Sequence, residues 1–309
     1  MGERELGVVM LPSKFLKKEI EEYIEYVASL GFKHIHTSLG FAAIAGMLGY
    51  LHPKLKSISN SIYPIVKEDS IEGLIQMNKI AEKNGMMVNL DTSPLIFEAL
   101  GASPENLKPF ADMGFYSIRL DWGFSIEDTV KMTKNEYGLK IMVNASDFFP
   151  EDVRNLVDSG AEVENLIAGH NLYPRPETGL TLDFLISRSK PFKEYGIKVA
   201  AYVASTNSVT PFQAMGMPTL EKHRFMEPGR AAEELFATKV IDIVVMGDVF
   251  AGKEELKSMS EVAKRDYVKV RVKALRNLLK EEEEIAFNKL HVNRRDAPPG
   301  RFIRSNAGR

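Results

Sequence analysis

The sequence predicts an α/β chain: a (β/α)₈ TIM barrel over residues 1–264, followed at 265–309 by the start of a small, truncated, β-rich C-terminal domain. Three observations predict it. One unit recurs along residues 6–248: an amphipathic helical stretch, a glycine, then a short apolar run that ends in polar residues. The glycine sits where a helix closes on a left-handed residue, and the near-continuous apolar run behind it is that of a strand buried on both faces. The runs number eight and no G-x-G-x-x-G follows the first, which favours a closed barrel over an open dinucleotide-binding sheet.

Taken in order, Leu6–Met10 is the first strand, and the helix after it buries Ile20, Tyr23, Ile24, Val27 and Leu30 against a charged face of Lys17, Lys18, Glu21, Glu22 and Glu25. Ser29-Leu-Gly-Phe-Lys-His-Ile-His-Thr-Ser38, Lys83-Asn-Gly-Met-Met-Val-Asn-Leu-Asp91, Asp112-Met-Gly-Phe-Tyr-Ser-Ile-Arg-Leu-Asp121 and Tyr137-Gly-Leu-Lys-Ile-Met-Val-Asn144 carry strands 2 to 5. Leu166–Ala168, Tyr195-Gly-Ile-Lys-Val-Ala-Ala-Tyr-Val203 and Val240–Met246 complete the eight. Ser70, Ser103 before Pro104, Ser125 and Thr181 stand where helix N-caps are expected. Leu39–Leu51, continuing through Leu55–Pro64, reads as a long apolar loop after strand 2, too short to span a bilayer. Beyond residue 265, Tyr267–Leu275 alternates as a strand does, and the acidic run Glu281–Glu284 leads into a basic tail.

Composition narrows the class of partner. Apolar residues make up 44% and charged residues 27%, with a net charge of −2, so neither nucleic acid nor a membrane surface is indicated and a small-molecule substrate is expected. There is no cysteine, which excludes disulfides and thiolate metal sites. The opening Met-Gly-Glu-Arg-Glu lacks the apolar core of a signal peptide, so a cytoplasmic location is expected.

Residues that finish the strands of such a barrel converge on one bowl. Strand 3 ends in Asp91, strand 4 in Asp121, strand 5 in Asn144, strand 6 in His170-Asn171 and strand 8 in Gly247-Asp248. Period-two alternation places Asn89 with Asp91, and Arg119 with Asp121, where Arg119 is expected to lie one layer deeper and keep its neighbours ionised. Asp91 and Asp121, with Asp248 in reserve, are the candidate catalytic carboxylates, since a protonated and an ionised carboxyl across a bowl are the equipment for acid and base or nucleophile chemistry on an acetal. After strand 6, prolines on both sides of Arg175 stiffen a loop carrying Tyr173, Arg175 and Glu177, which suits bidentate binding of an anion. Lys222, His223 and Arg224, after strand 7, lie where these barrels commonly bind phosphate.

These motifs together resemble one family. His170-Asn-Leu-Tyr-Pro-Arg-Pro-Glu-Thr-Gly-Leu180, Pro218-Thr-Leu-Glu-Lys-His-Arg224, Ile118-Arg-Leu-Asp-Trp-Gly123, Asn144-Ala-Ser146, Gly247-Asp248, His291-Val-Asn-Arg-Arg-Asp296 and Ile303-Arg-Ser305 all resemble the bacterial 6-phospho-N-acetylmuramidases. The resemblance implies a TIM barrel with a cyclophilin-like C-terminal domain. It implies cleavage of N-acetylmuramic acid 6-phosphate–N-acetylglucosamine in cell-wall recycling, without a metal or organic cofactor. Two features depart from the family pattern: the longer, more apolar loop after strand 2, and Glu177 where an aromatic residue is common.

Two other readings compete. His34 and His36 share a strand face and, with His170 and Asp248, are the donor types of a metal-dependent hydrolase. A non-catalytic sugar-phosphate binder would keep Arg175 and dispense with the acid pair.

Overall fold

The computed structural model describes residues 4–12, 17–39, 71–207, 215–270 and 272–292. Eight parallel strands close into a barrel in chain order: β1 (Glu5–Val9), β2 (His34–Ser38), β3 (Met87–Thr92), β4 (Ser117–Leu120), β5 (Lys140–Asn144), β6 (Leu166–Gly169), β7 (Lys198–Val203) and β8 (Ile243–Met246). Closure comes from β1 pairing with β8, with Glu5 opposite Ile243 and Val8 opposite Met246. The helices between strands are α1 (Lys17–Ser29), α2 (71–83), α3 (Pro94–Leu100), α4 (Lys108–Asp112), α5 (Ile126–Thr133), α6 (Pro150–Asp158), α7 (Leu182–Glu194), α8 (Pro228–Ala237) and α9 (Lys253–Lys264). None of the described helices is long and apolar enough to cross a membrane.

Local chemistry explains the boundaries. Gly85 and Gly196 close their helices at φ 67° and 76°, a region that a side chain disfavours. Ser125 caps α5 reciprocally: its Oγ accepts from the Asp128 N–H at 3.0 Å, and Asp128 accepts from the Ser125 N–H. Thr181 caps α7 in the same sense. Ser103 does not cap a helix; it pairs with Asn106 in a tight turn, and α4 begins only at Lys108.

Two layers of core hold the barrel. The outer layer packs strands against helices through residues such as Ile24, Leu74, Phe110, Leu156, Phe192 and Leu235. Each such side chain contributes roughly 1.5–3 kcal/mol on burial. The inner layer, Val9, Met142, Ile167, Ala200, Tyr202, Ile243 and Val245, fills the barrel itself. Small residues make room there: a Cβ at Gly169 would lie 2.7 Å from Met142 Sδ. The N-terminal end of the interior is polar. Glu5 meets His34 Nε2 at 3.1 Å and Lys198 Nζ at 3.1 Å, which holds its carboxyl down at about 2, the His34 hydrogen bond acting against the cost of burial.

Residues 267–309 form a second compact unit. The alternating stretch at 267–275 is not a strand among its described residues; the one regular element described there is the helix α10 (Lys280–Phe287). Glu282 caps it through the Leu279 N–H and pairs with Arg276 at 2.6 Å. Alternation makes a strand only where a neighbour pairs with it. The loop reading at 40–51 and 55–64, Ser70, and the motifs at 293–296 and 303–305 lie outside the described residues.

Candidate active site

The site is built on one guanidinium. Register sets Asp91 of β3 directly opposite Arg119 of β4, and Asp121 follows β4 on the same face as Arg119. Arg119 is buried, and its Nη1 lies 3.1 Å from Asp121 Oδ1 and 3.5 Å from Asp91 Oδ1. The two carboxylate oxygens flanking that nitrogen are therefore less than about 7 Å apart. That bound is below the roughly 9.5 Å upper limit at which paired carboxylates act on one glycosidic bond.

Both carboxylates reach solvent: Asp91 is 42% and Asp121 49% exposed. Burial works against the charge that Arg119 favours on Asp91. Desolvation at the foot of the bowl raises the Asp91 carboxyl above its usual range; the Arg119 charge opposes the rise and the Asp121 charge adds to it. One member of the pair is thus biased towards holding a proton while Arg119 donates to the other.

Beneath the pair lies a buried polar layer. Arg119 Nη2 donates to Asn171 Oδ1. Tyr202 Oη and His36 Nδ1 are 2.9 Å apart, and burial holds His36 well below its ordinary range, so it is neutral. Asn89 accepts from Ser117 and donates to the Ile35 carbonyl. Tyr202 and Ser117 were not picked out from the sequence. Their inward parity on β7 and β4 was the available signal.

Several expected ligand contacts turn out to be scaffold. Asp248 is fully buried, with Oδ2 accepting the N–H groups of Ser205 at 2.7 Å and Met217 at 3.3 Å; burial pushes its pKa up to about 6. It ties two loops together and does not open on the bowl. His170 is buried between Ser146 and Ser189, one on each ring nitrogen, and burial lowers its pKa to about 3. Asn144 bonds Asp147 and the Ser146 N–H within its own loop.

Arg224 is the largest correction. Its Nε and Nη2 hold Glu221 at 2.7 and 2.6 Å, Nη1 reaches the carbonyls of Tyr173, Met215 and Gly216, and Nη2 also reaches that of Arg175. Every N–H is committed, so no donor remains for an anion. Lys222 and His223 both pair with Glu234, at 2.7 and 2.6 Å. Glu221, overlooked in the sequence although it stands three residues before Arg224, is held at about 2 by the Arg224 hydrogen bonds, and it also accepts the Gly179 N–H.

The two most distinctive motifs are consequently two halves of one clasp. Tyr173 N–H donates to the Pro218 carbonyl, Thr219 Oγ1 to that of Asn171, and Leu180 bridges Leu220. The clasp presents Arg175 in solvent, where its guanidinium makes no hydrogen bond or ion pair among the described residues. Glu177 beside it is exposed, in left-handed backbone at φ 64°.

The metal reading fails on geometry. Both His170 nitrogens are used, His34 faces Glu5 at the far end of the barrel, and among the described residues no three His, Asp or Glu groups converge as a metal site.

A family model described as 6-phospho-N-acetylmuramidase, N-terminal, matches residues 55–261. The chain belongs to this family. Membership supports a glycosidase-like enzyme acting on a sugar phosphate, the coarse class to which the acid pair also points. Among solved structures, an uncharacterized Bacillus cereus protein is 30% identical, with 94% of this chain and 74% of that one covered and a TM-score of 0.73. A conserved Enterococcus faecalis protein of unknown function is 26% identical, covering 86% and 67%, at TM-score 0.66. Tryptophan synthase from M. tuberculosis, 10% identical at TM-score 0.52 over 84% of this chain and 92% of that one, shares the fold alone. No curated protein matches the chain.

Proposed function

We propose that this chain hydrolyses a 6-phosphorylated amino-sugar disaccharide, N-acetylmuramic acid 6-phosphate–N-acetylglucosamine, in peptidoglycan recycling. The observation that carries this reading is the Asp91–Arg119–Asp121 arrangement at the strand ends of a 6-phospho-N-acetylmuramidase family barrel. Asp91, with its raised pKa, delivers its proton to the glycosidic oxygen as the bond from that oxygen to the anomeric carbon breaks. The Asp121 carboxylate, hydrogen-bonded by Arg119, supports the positive charge that develops on the sugar; water supplies the hydroxyl that replaces the leaving group, and its remaining proton returns to Asp91. Arg175, stiffly presented and without another partner among the described residues, holds the phosphate or lactyl carboxylate bidentately, with Tyr173 and Asn171 on the same loop. Catalysis is assigned to residues 1–264, with 265–309 opening a second domain, and the reading places the reaction in the cytoplasm.

The test is incubation with this disaccharide and with its unphosphorylated form, products being read by mass spectrometry. The phosphorylated form is expected to be cleaved and the other not; cleavage of neither refutes the substrate. Asp91→Asn and Asp121→Asn are expected to cut turnover by a factor on the order of a hundred or more with binding nearly intact. Equal turnover in wild type and both variants would make the acid pair irrelevant.

A further inference from the structure

Trp122 is the only tryptophan in the chain, it follows Asp121 directly, and it is 60% exposed. Trp is highly buried on average, so so bare an indole beside an acid pair calls for an explanation. Its neighbours are all anchored. Asp121 is held by Arg119 through its side chain and by the Thr92 carbonyl through its N–H, at 3.1 Å each. Gly123, at φ 85°, lies so close to Pro94 that an added Cβ would approach the ring Cγ to 2.9 Å. Phe124 packs on Phe97 with ring centroids 4.9 Å apart, and Phe97 in turn on Phe110.

Residues 121, 123 and 124 are thus fixed to β3, β4 and α3, while the indole between them makes no ring contact or hydrogen bond among the described residues. A backbone fixed on both sides holds a free aromatic face one residue along the chain from Asp121, and such a face suits something flat and partly apolar. The C–H face of a pyranose ring meets that need: its C–H bonds carry positive partial charge towards the negative π face, and its hydroxyls remain at the rim.

We infer that Trp122 is the sugar-stacking platform of this site, setting one pyranose ring of the substrate against Asp121. The inference rests on the glycosidase reading above. It also accounts for selectivity between a sugar and a simple phosphate, which Arg175 alone would bind equally.

With one tryptophan in the chain, indole emission reports this position alone. The disaccharide N-acetylmuramic acid 6-phosphate–N-acetylglucosamine is titrated into Asp91→Asn protein, followed in parallel by tryptophan fluorescence and by calorimetry. A saturable change in emission is expected, with the calorimetric dissociation constant. In the same background Trp122→Ala is expected to weaken binding about tenfold and Trp122→Phe to restore most of it. In otherwise wild-type enzyme, Trp122→Ala is expected to raise KM with little change in kcat. Calorimetric binding with an unmoved indole and an unchanged affinity in Trp122→Ala overturns the platform and leaves the glycosidase reading standing. No heat of binding, and no cleavage by wild-type enzyme, removes both.

Discussion

Arg224→Ala separates a phosphate-binding arginine from a structural one. Removing the guanidinium strips a donor from the carbonyls of Tyr173, Arg175, Met215 and Gly216 and leaves Glu221 without its ion-pair partner. A carbonyl deprived of its partner costs roughly 1 kcal/mol when it stays dry and less when water reaches it. Glu221 is a third exposed, so the loss of its partner adds little. The total is roughly 3–5 kcal/mol, or about 10 °C in melting temperature for a domain of this size. Arg224→Lys is expected to recover only a fraction, because one ammonium cannot span carbonyls and a carboxylate arranged around a planar fork. Urea denaturation gives the stability, and calorimetry with the disaccharide gives the affinity of the residual folded protein. An Arg224→Ala variant whose midpoint stays within the equivalent of about 0.5 kcal/mol of wild type, yet which no longer binds the phosphorylated sugar, would refute the clasp and return Arg224 to the ligand.

Two further predictions concern buried carboxylates at opposite ends of the barrel. The folded pKa of Asp248, about 6, lies above the ordinary aspartate value of 3.8, so its charge costs stability that grows from pH 3.8 to about 6 and is absent below. Asp248→Asn is therefore expected to gain on the order of 2 kcal/mol over wild type at pH 8 and nothing at pH 3.5, whereas Asp248→Ala loses about 2 kcal/mol by orphaning two backbone N–H groups. An Asn variant offset equally at both pH values would contradict the cause assigned to the shift. Glu5 has the opposite sign: its pKa falls from 4.5 to about 2, so it contributes up to about 3 kcal/mol above pH 4.5, lost progressively as pH falls towards 2. Glu5→Gln is expected to flatten the acid limb of the stability profile over that window, and an unchanged limb would show that His34 and Lys198 do not hold the carboxylate down.

The strands were legible because each rests on local chemistry: a glycine that closes a helix, an apolar run of the right length, and polar residues where the run ends. The same logic found Asp91, Arg119 and Asp121, since parity along β4 relates two of them and each acid ends a strand. It failed where the outcome depends on which side chain satisfies which. Asp248, His170 and Arg224 stand at strand ends or on rim loops like the others, and nothing in their spacing tells a group that faces solvent from one that is buried and held by neighbouring loops. Arg224 shows why. Its partners are Glu221, Tyr173, Arg175, Met215 and Gly216, and the first is near in sequence while Tyr173 and Arg175 come from the loop after another strand. Two motifs that look like separate ligand loops are bound to each other, and the cation one of them contributes is consumed in the binding. What the clasp leaves over is Arg175, the residue to which the proposed function gives the anion. Of the four cationic residues expected at the rim, Arg224, Lys222 and His223 are engaged by Glu221 or Glu234, and among the described residues Arg175 alone of the four makes no hydrogen bond or ion pair.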